Sequence, residues 1–377
     1  MFSAVLAALV ISDTLPARPA TDSLPAMQES RTRSEVMRDD SVQVKFGAFV
    51  DGYYAWDSQR PATLDRSYTT QPARHNEFNI NLAFIEATLR GPRVRGRLAL
   101  QAGTAVQSNY SAEPRVGSIS GGDLSRHLQE ATIGVAVTPK LWVDAGVYFS
   151  YIGLEGWISR DNATYTRSLI ADYTPYYLSG VKATWQATQR VSAQLHVMNG
   201  WQNMAETNSD KALGARVDWQ VRDDLLLVWD GFVGNEMADS LPSQLRILQQ
   251  LIARHIRGPW EFSLVLDGGR QARVATGADW WTGSSAIVRR QVNRTTAFVV
   301  RGEHLYDRGQ VLVRSNTADG FRTTGASFGV DIAPDSRVRW RSEVRGFRSG
   351  DAIWPGLGSR DASRTSWMAV TSLALTL

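Results

Sequence analysis

Charged and apolar residues alternate strictly through the segment 337–345, which reads Arg-Val-Arg-Trp-Arg-Ser-Glu-Val-Arg. Successive side chains of a β-strand point to opposite faces, so one face of this segment would be ionic and the other would carry Val338, Trp340 and Val344. Weaker forms of the pattern recur along most of the 377-residue chain. No stretch approaches the ~18 apolar residues of a spanning helix, so the repetition predicts a closed barrel with an apolar outside and a wet inside.

The alternating segments are joined in turn by short connections rich in turn residues and by longer polar connections. About sixteen segments can be counted, an even number in the porin range. We therefore predict an all-β, transmembrane antiparallel β-barrel of about 16 strands, with short periplasmic turns, long extracellular loops and both termini periplasmic. Alternation is poorest in the tenth and twelfth segments. The predicted strands are 43–56, 78–90, 93–106, 126–138, 140–150, 175–188, 190–198, 211–222, 224–234, 243–257, 259–269, 281–292, 294–306, 321–333, 336–347 and 364–377.

Residues 1–40 are predicted to lie outside the barrel. Met1 is followed by the apolar run FSAVLAALVI, which is typical of the hydrophobic region of a secretory signal. Residues 21–40 are polar and mixed in charge, which is typical of a mobile leader. The positive region that opens most signals is missing, so the alternatives are a true start further upstream or a segment of another kind. The predicted division is a signal-like segment and leader over 1–40 and a barrel over 41–377.

Composition narrows the chemistry that the chain can perform. There is no cysteine, which excludes disulfides, thiolate metal sites and a cysteine nucleophile. The five histidines show no HExxH or HxH spacing, so we expect no metal site and no cofactor. The formal net charge of +4 comes from 41 basic and 37 acidic residues, and so mild an excess does not indicate a nucleic-acid partner.

The last segment places Trp367, Leu373, Leu375 and Leu377 on one face. In a soluble sheet such an apolar edge would invite aggregation, whereas in a barrel it pairs with the first strand and faces lipid. It resembles the C-terminal recognition strands of outer-membrane proteins, although those most often end in Phe. The segment predicts a bacterial outer-membrane location, contact with outer-membrane lipid and recognition by the barrel-assembly machinery. The aromatic residues suit either a lipid boundary or the interface of a homo-oligomer such as a trimer.

Several short segments carry a family resemblance. They are 76–83 (NEFNINLA), 141–146 (LWVDAG), 152–156 (IGLEG), 161–169 (DNATYTRSL), 175–182 (PYYLSGVK), 199–203 (NGWQN) and 234–236 (GNE). Together they resemble the putative β-barrel porin-2 family of bacterial outer membranes. The resemblance covers residues 42–236 well and the remainder by pattern only. It implies a porin-like barrel and brings no substrate.

The connection 151–174, the third long one, is the candidate pore constriction. In sixteen-stranded general porins the third long loop folds into the lumen, and by this analogy of topology we expect the same here. Gly153 and Gly156 allow tight backbone turns within it. The alternative is a loop that merely caps the mouth of the barrel. The candidate constriction residues are Glu155, Trp157, Arg160, Asp161, Asn162 and Arg167.

We hypothesise that Glu155 and Asp161 face basic residues of the lumen wall, because opposed charges would create a transverse field that selects charged solutes. The residues expected to oppose them are Lys45, Arg95, Arg97, Arg337, Arg339 and Arg341. The full set of candidate lumen-wall residues is Lys45, Arg95, Arg97, Lys182, Arg216, Arg301, Glu303, Arg337, Arg339, Arg341, Glu343 and Arg345.

The arginine-rich strand admits two interpretations. Its ionic face could form a stripe that favours anions in the lumen. It could instead pair with acids on neighbouring strands, namely Asp331 and Glu303, and only brace the wall.

The predicted function is an outer-membrane porin-like channel for passive diffusion of small hydrophilic solutes, anions among them, and not an enzyme. One alternative is a barrel with a blocked lumen and a structural, adhesive or binding role. A less favoured one is a barrel hydrolase, because Gly325-Ala326-Ser327-Phe328-Gly329 matches the nucleophile-elbow pattern. That motif needs a strand-to-helix turn, and here it lies inside a continuous strand pattern. A soluble secreted all-β protein is the least favoured alternative.

Overall fold

The computed structural model describes residues 41–119, 122–355 and 362–377. The predicted leader over 1–40 lies outside the described residues. Within these described ranges there are sixteen strands. They are β1 (Gln43–Asp57), β2 (Phe78–Arg90), β3 (Val94–Ala102), β4 (Leu128–Thr138), β5 (Leu141–Phe149), β6 (Tyr177–Gln186), β7 (Val191–Met198), β8 (Ala212–Arg222), β9 (Leu225–Asn235), β10 (Leu245–Arg257), β11 (Trp260–Arg273), β12 (Gly277–Gln291), β13 (Thr296–Asp307), β14 (Phe321–Ile332), β15 (Val338–Ser349) and β16 (Thr365–Thr376).

These strands form one closed antiparallel barrel in which each strand pairs with its neighbours in sequence. The barrel closes between β1 and β16, from Phe49 opposite Thr376 to Asp57 opposite Met368. This pairing gives the apolar C-terminal segment a partner on both edges. The predicted fold class and the count of sixteen strands are confirmed.

Side chains separate by face as the alternation predicts. Along β14, for example, Phe321, Thr323 and Ser327 are buried inside the barrel, whereas Thr324 and Phe328 are exposed outside it. In water this outward apolar surface would be costly, and a lipid environment removes that cost. Among the described residues, no helix is long and apolar enough to cross a membrane.

The helices among the described residues lie in the long connections. They are α1 (Thr104–Asn109), α2 (Gly122–Ser125), a 3₁₀ turn (Ser159–Asp161) and α3 (Leu169–Asp172). Strand β3 ends at Ala102, earlier than predicted, because Gly103 at φ 137° turns the chain into α1. The predicted loop 270–280 is largely strand, since β11 and β12 extend to a tight hairpin braced by an Arg273–Asp279 ion pair of 2.6 Å.

The connection between β5 and β6, residues 150–176, is here called loop 3. It folds inside the barrel. Its apolar and aromatic side chains join four interior clusters with residues of the barrel wall. Trp157 packs with Phe49 and Phe84, and Ile170 packs in a second cluster with wall residues of β9–β11. Loop 3 is therefore part of the barrel's packed interior.

Candidate functional site

Loop 3 crosses the lumen as a buried segment. Thr164, Thr166, Arg167 and Ser168 are each 0% exposed. A backbone removed so fully from water must find its hydrogen bonds within the protein. The side chains that supply them come mainly from the inward faces of β13 and β15.

Arg301 on β13 is the centre of this contact. Its Nη1 donates to Thr164 Oγ1 at 2.7 Å and to the carbonyl of Thr166 at 2.6 Å, and Nη2 donates to Thr166 Oγ1 at 2.7 Å. Its guanidinium also lies 3.4 Å from Glu155 of loop 3 and 3.3 Å from Glu343 of β15. One arginine thus bridges the loop and two strands.

Two carboxylates of the barrel wall accept hydrogen bonds from backbone amides of loop 3. Glu343 accepts from the amide and the hydroxyl of Thr166, both at 2.8 Å. Glu303 accepts from the amide of Leu169 at 2.6 Å and from Nε and Nη2 of Arg345 at 2.8 Å each. The Arg345–Glu303 pair is bidentate and buried, which is the strong geometry for such pairs.

Arg341 on β15 holds the first part of loop 3. It donates to the carbonyls of Ser159 at 2.5 Å and Asn162 at 2.7 Å, and it lies 3.1 Å from Asp331 of β14. The structure therefore contains both ion pairs of the bracing interpretation, Arg341–Asp331 and Arg345–Glu303. Much of the ionic face of β15 is occupied by loop 3 and neighbouring acids.

The start of the arginine-rich segment is different. Arg337 is exposed in the turn before β15. Arg339 is half-buried and donates to the carbonyl of Arg160. Along this segment, exposure to the lumen therefore falls from Arg337 towards Arg345.

The two acids expected to face basic wall residues have different surroundings: Glu155 pairs with Arg301, which was not among the bases named for it, whereas Asp161 lies close enough to Arg339 and Arg341 to interact with their charges. Glu155 is buried, accepts two 3.1 Å bonds from the amide of Ser168 and pairs with Arg301. Asp161 is exposed and pairs with its neighbour Arg160 at 3.2 Å. Of these two acids, only Asp161 is accessible to a solute.

Of the remaining candidate residues, Trp157 attaches loop 3 to the wall, and Asn162 and Arg167 stabilise the shape of the loop itself. Trp157 Nε1 donates to Gln101 on β3 at 2.8 Å. Asn162 Oδ1 accepts from the amide of Gly156 at 2.8 Å. Arg167 donates to the carbonyls of Gly156 at 2.9 Å and Tyr165 at 2.8 Å, and also to that of Trp157.

Two further anchors were missed from the sequence. Asp51 on β1 accepts from Ser159 Oγ at 2.8 Å and lies 3.3 Å from the hydroxyl of Tyr165. Asp230 on β9 accepts from the amide of Gly153 at 3.0 Å and pairs with Arg216 at 3.2 Å. Both acids occupy inward positions of their strands, and that alternation was the available signal.

The wall of β3–β6 carries charges that are partly accessible. Arg95 pairs with Asp144 at 2.5 Å, and Arg97 pairs with Glu86 at 2.6 Å and also with Glu130. These side chains are 5–19% exposed, in contrast to the 0–3% of the Arg301, Arg341 and Arg345 side chains.

Two lysines of the wall form no ion pair within 4.0 Å in the described part of the chain, although Lys182 stands opposite Asp144 in the strand register. Lys182 on β6 is half-buried, with Nζ 5.1 Å from the ring centroid of Tyr148. Lys45 on β1 is exposed at an inward position of its strand. Within the described part of the chain, neither ammonium has a carboxylate oxygen within 4.0 Å.

One part of the lumen is apolar, which corrects the expectation of a uniformly wet interior. Inward positions of β9–β12 carry Leu226, Val228, Ile252, Val265 and Ile287, all buried. The first four share a cluster with Leu169 and Ile170 of loop 3. These strands are apolar on both faces because loop 3 covers part of the inner one.

Asp172, at the end of α3, links loop 3 to the long connection between β1 and β2. Its Oδ1 accepts from Thr70 Oγ1 at 2.5 Å and from the hydroxyl of Tyr176 at 3.2 Å. Burial raises the pKa of Asp172 to about 6, against the lowering effect of Arg345. Oδ2 of the same carboxylate is buried without a hydrogen-bond partner in the described part of the chain.

Ser327, the serine of the elbow-like motif, lies in the regular ladder of β14. It stands opposite Arg301 on one side and Arg345 on the other. Its Oγ makes no hydrogen bond to any described residue. The sharp turn of a nucleophile elbow is not formed at this position.

Known proteins share this architecture. The chain is similar to the anion-selective porin from Comamonas acidovorans, with 11% identity over 89% of this chain and 100% of that chain and a TM-score of 0.59. It is also similar to OmpF of Salmonella typhi in complex with daunomycin, with 11% identity over 90% of this chain and 98% of that chain and a TM-score of 0.58. For the in-vitro folded trimer form of OmpT from Vibrio cholerae, the identity is 9% over 90% of this chain and 100% of that chain, and the TM-score is 0.56. Identities this low show the fold alone.

Sequence comparison identifies the family. No curated protein sequence matches the chain. The family model described as putative beta-barrel porin-2, OmpL-like, matches residues 43–376, which is the whole barrel from the first residue of β1 to the last of β16. This chain is therefore a member of the putative beta-barrel porin-2, OmpL-like family.

Proposed function

We propose that the protein is an outer-membrane channel through which small hydrophilic solutes diffuse passively, with anions preferred. The observation that carries this proposal is loop 3, which lies inside a closed barrel and is bound to β13 and β15 through Arg301, Glu303 and Glu343. The remaining path runs along the partly accessible charged wall of β3–β6. Sieving and electrostatics suffice for this function, and no catalytic step is part of it.

The preference for anions rests on accessible charge. Arg95 and Arg97 each pair with carboxylates within 4.0 Å, whereas Lys45 and Lys182 make no such pair in the described part of the chain. The buried acids of loop 3 and β13–β15 contribute little to the field that a solute meets. A surplus of accessible cations raises the local anion concentration in a narrow pore.

Membership in the porin-2 family supports a channel and an outer-membrane location. We propose that the short turns and both termini are periplasmic, and that β16 is the segment recognised by the barrel-assembly machinery. A homotrimer is also proposed, in line with the trimer form of the structurally similar OmpT.

The proposal is tested in planar lipid bilayers with the purified protein. We expect stepwise conductance and a zero-current potential in a salt gradient that indicates anion preference. Lys182→Gln should shift that potential towards cations, while Lys140→Gln, in the exposed turn between β4 and β5, should leave it unchanged. Folded protein that never conducts would overturn the proposal, and an unshifted potential in Lys182→Gln would overturn its account of selectivity.

A second candidate is a barrel with a blocked lumen and a structural, adhesive or binding role. The observation that favours it is the apolar packing of loop 3 against β9–β11. Absent conductance from protein with normal heat-modifiable gel mobility would favour this candidate. Hydrolysis of lipid or peptide that is lost in Ser327→Ala would be needed to support an enzyme.

A further inference from the structure

A basic patch lies on the outward face of three adjacent strands, at the end that carries the long connections. It consists of His304 on β13, Arg322 and Thr324 on β14, and Arg348 on β15, and we call it the rim patch. Arg322, Thr324 and Arg348 are exposed. The residues next to them in sequence, such as Thr323 and Ser349, are buried inside the barrel. The rim patch therefore faces the surroundings of the barrel and not its lumen.

Strand register brings these side chains together. Thr324 stands opposite His304 on one side and Arg348 on the other. His304 Nδ1 lies 2.9 Å from Thr324 Oγ1. Arg322 is two residues along β14 on the same face. Because adjacent strands lie ~4.8 Å apart, the row from His304 to Arg348 is about 10 Å wide.

The arginines of the rim patch form no ion pair in the described part of the chain. No carboxylate oxygen lies within 4.0 Å of Arg322 or Arg348. The outward positions of β11–β15 contain no Asp or Glu at all. The interior arginines Arg301, Arg341 and Arg345, by contrast, are all paired with acids. A guanidinium on the lipid side that has no ion pair within the chain would be stabilised by an anion from outside the chain.

A shallow recess adjoins the rim patch on the side away from the long connections. The next outward row is Gly302, Ala326 and Gly346, paired across the same three strands. A Cβ added at Gly302 or Gly346 would meet no atom within 4 Å. The row after it carries Val300, Phe328 and Val344. Basic groups above a small-residue recess and an apolar surface suit a molecule with an anionic head and hydrocarbon chains.

We propose that the rim patch binds the phosphate headgroup of an anionic glycolipid in the outer leaflet. Guanidinium groups bind phosphate through paired, charge-assisted hydrogen bonds, and Arg322 and Arg348 supply two of them. The acyl chains then lie over Gly302, Ala326 and Gly346. Lipid-facing charge is tolerated near a membrane interface and not at its midplane, which agrees with the position next to the long connections.

The test measures binding of bisphosphorylated lipid A to the detergent-solubilised protein by native mass spectrometry. In Arg322→Gln/Arg348→Gln we expect affinity to fall by more than about tenfold, because two charge-assisted contacts are lost. Arg290→Gln is the matched control, since Arg290 lies on the outward face of β12 at the opposite end, over the ring of Trp260 at 4.9 Å. Its affinity for lipid A should be unchanged.

Further arms separate the sources of phosphate. Dephosphorylated lipid A should bind the wild type weakly, with an affinity no higher than that of intact lipid A for the double variant. In a separate competition experiment, equimolar inorganic phosphate should not displace lipid A from the wild type. Gly346→Leu fills the recess without touching the arginines and should also weaken lipid binding. Equal affinities of wild type and double variant would overturn the proposal, as would equal binding of dephosphorylated lipid A. Displacement by inorganic phosphate would assign the patch to a free anion and overturn it too.

Discussion

Whether an arginine in the lumen can select solutes depends on what its guanidinium already contacts. Arg301 and Arg345 are fully buried, and their charges are matched by Glu155, Glu303 and Glu343. Lys182 has no such partner within 4.0 Å in the described chain. The arginines of β13 and β15 therefore hold loop 3 in place. We expect the ion selectivity to be determined by cations elsewhere on the wall.

Removing the guanidinium of Arg345 should destabilise the barrel strongly. Arg345→Ala would leave Glu303 as a buried carboxylate with less compensation, at a cost of about 3–5 kcal/mol in the free energy of unfolding. Arg337→Ala, in the exposed turn before β15, is the control and should change that free energy by less than about 0.5 kcal/mol. Urea unfolding followed by tryptophan fluorescence measures both, and equal losses in the two variants would contradict a structural role for the pair.

Asp172 should make stability depend on pH in a defined direction. Burial raises its pKa from the ordinary 3.8 to about 6. Below about pH 4 the carboxyl is protonated in both states, and between about pH 4 and 6 the unfolded chain loses the proton first. The contribution of Asp172 to the free energy of unfolding should therefore fall by roughly 3 kcal/mol as pH rises through this window.

Asp172→Asn keeps an acceptor for Thr70 and Tyr176 and removes the titration. Unfolding free energies measured from pH 4 to about 7 should fall less steeply in this variant than in the wild type. Parallel curves for the two proteins would show that Asp172 does not carry the effect.

Among the elements, the strands were predictable and the contacts of loop 3 were not. Alternation and turn residues are local signals, so most strand boundaries follow from short stretches of sequence. The contact of Arg301 with Thr166 joins residues 135 positions apart, and that of Arg341 with Ser159 joins residues 182 apart. No local pattern encodes such pairs. The apolar lumen wall was hidden for another reason, because Leu225-Leu226-Leu227-Val228 is apolar on both faces.

Loosening loop 3 should change the electrical behaviour of the channel. Arg301→Met removes the hydrogen bonds to Thr164 and Thr166 while keeping an apolar side chain of similar length. We expect larger fluctuations of the open-channel current, since the loop would move within the lumen. Arg254→Met is the matched control, because Arg254 pairs with Glu261 of the wall at 2.7 Å. Identical current noise in both variants would argue against loop 3 as the mobile element.

At the scale of the molecule, most of the sequence is explained by the closure of the barrel and by whether each side chain points into the lumen or out of it. Among the described strands, the pairing of β1 with β16 leaves no free sheet edge. The charged residues of β11–β15, apart from the basic groups near the ends of the strands, lie inside. The sixteen-stranded barrel and its inward charges could be predicted. The degree to which loop 3 fills the interior could not, because it depends on packing between residues that only the closed barrel brings together.

We propose that loop 3 narrows an aqueous channel. Single-channel conductance of the wild type and of a variant lacking residues 155–166 tests it most directly, with heat-modifiable mobility confirming that both barrels are folded. We expect a clear rise in conductance and a weaker anion preference in the deletion variant, because the lumen would be wider and its wall charges better screened. Unchanged conductance and selectivity in a folded deletion variant would contradict it.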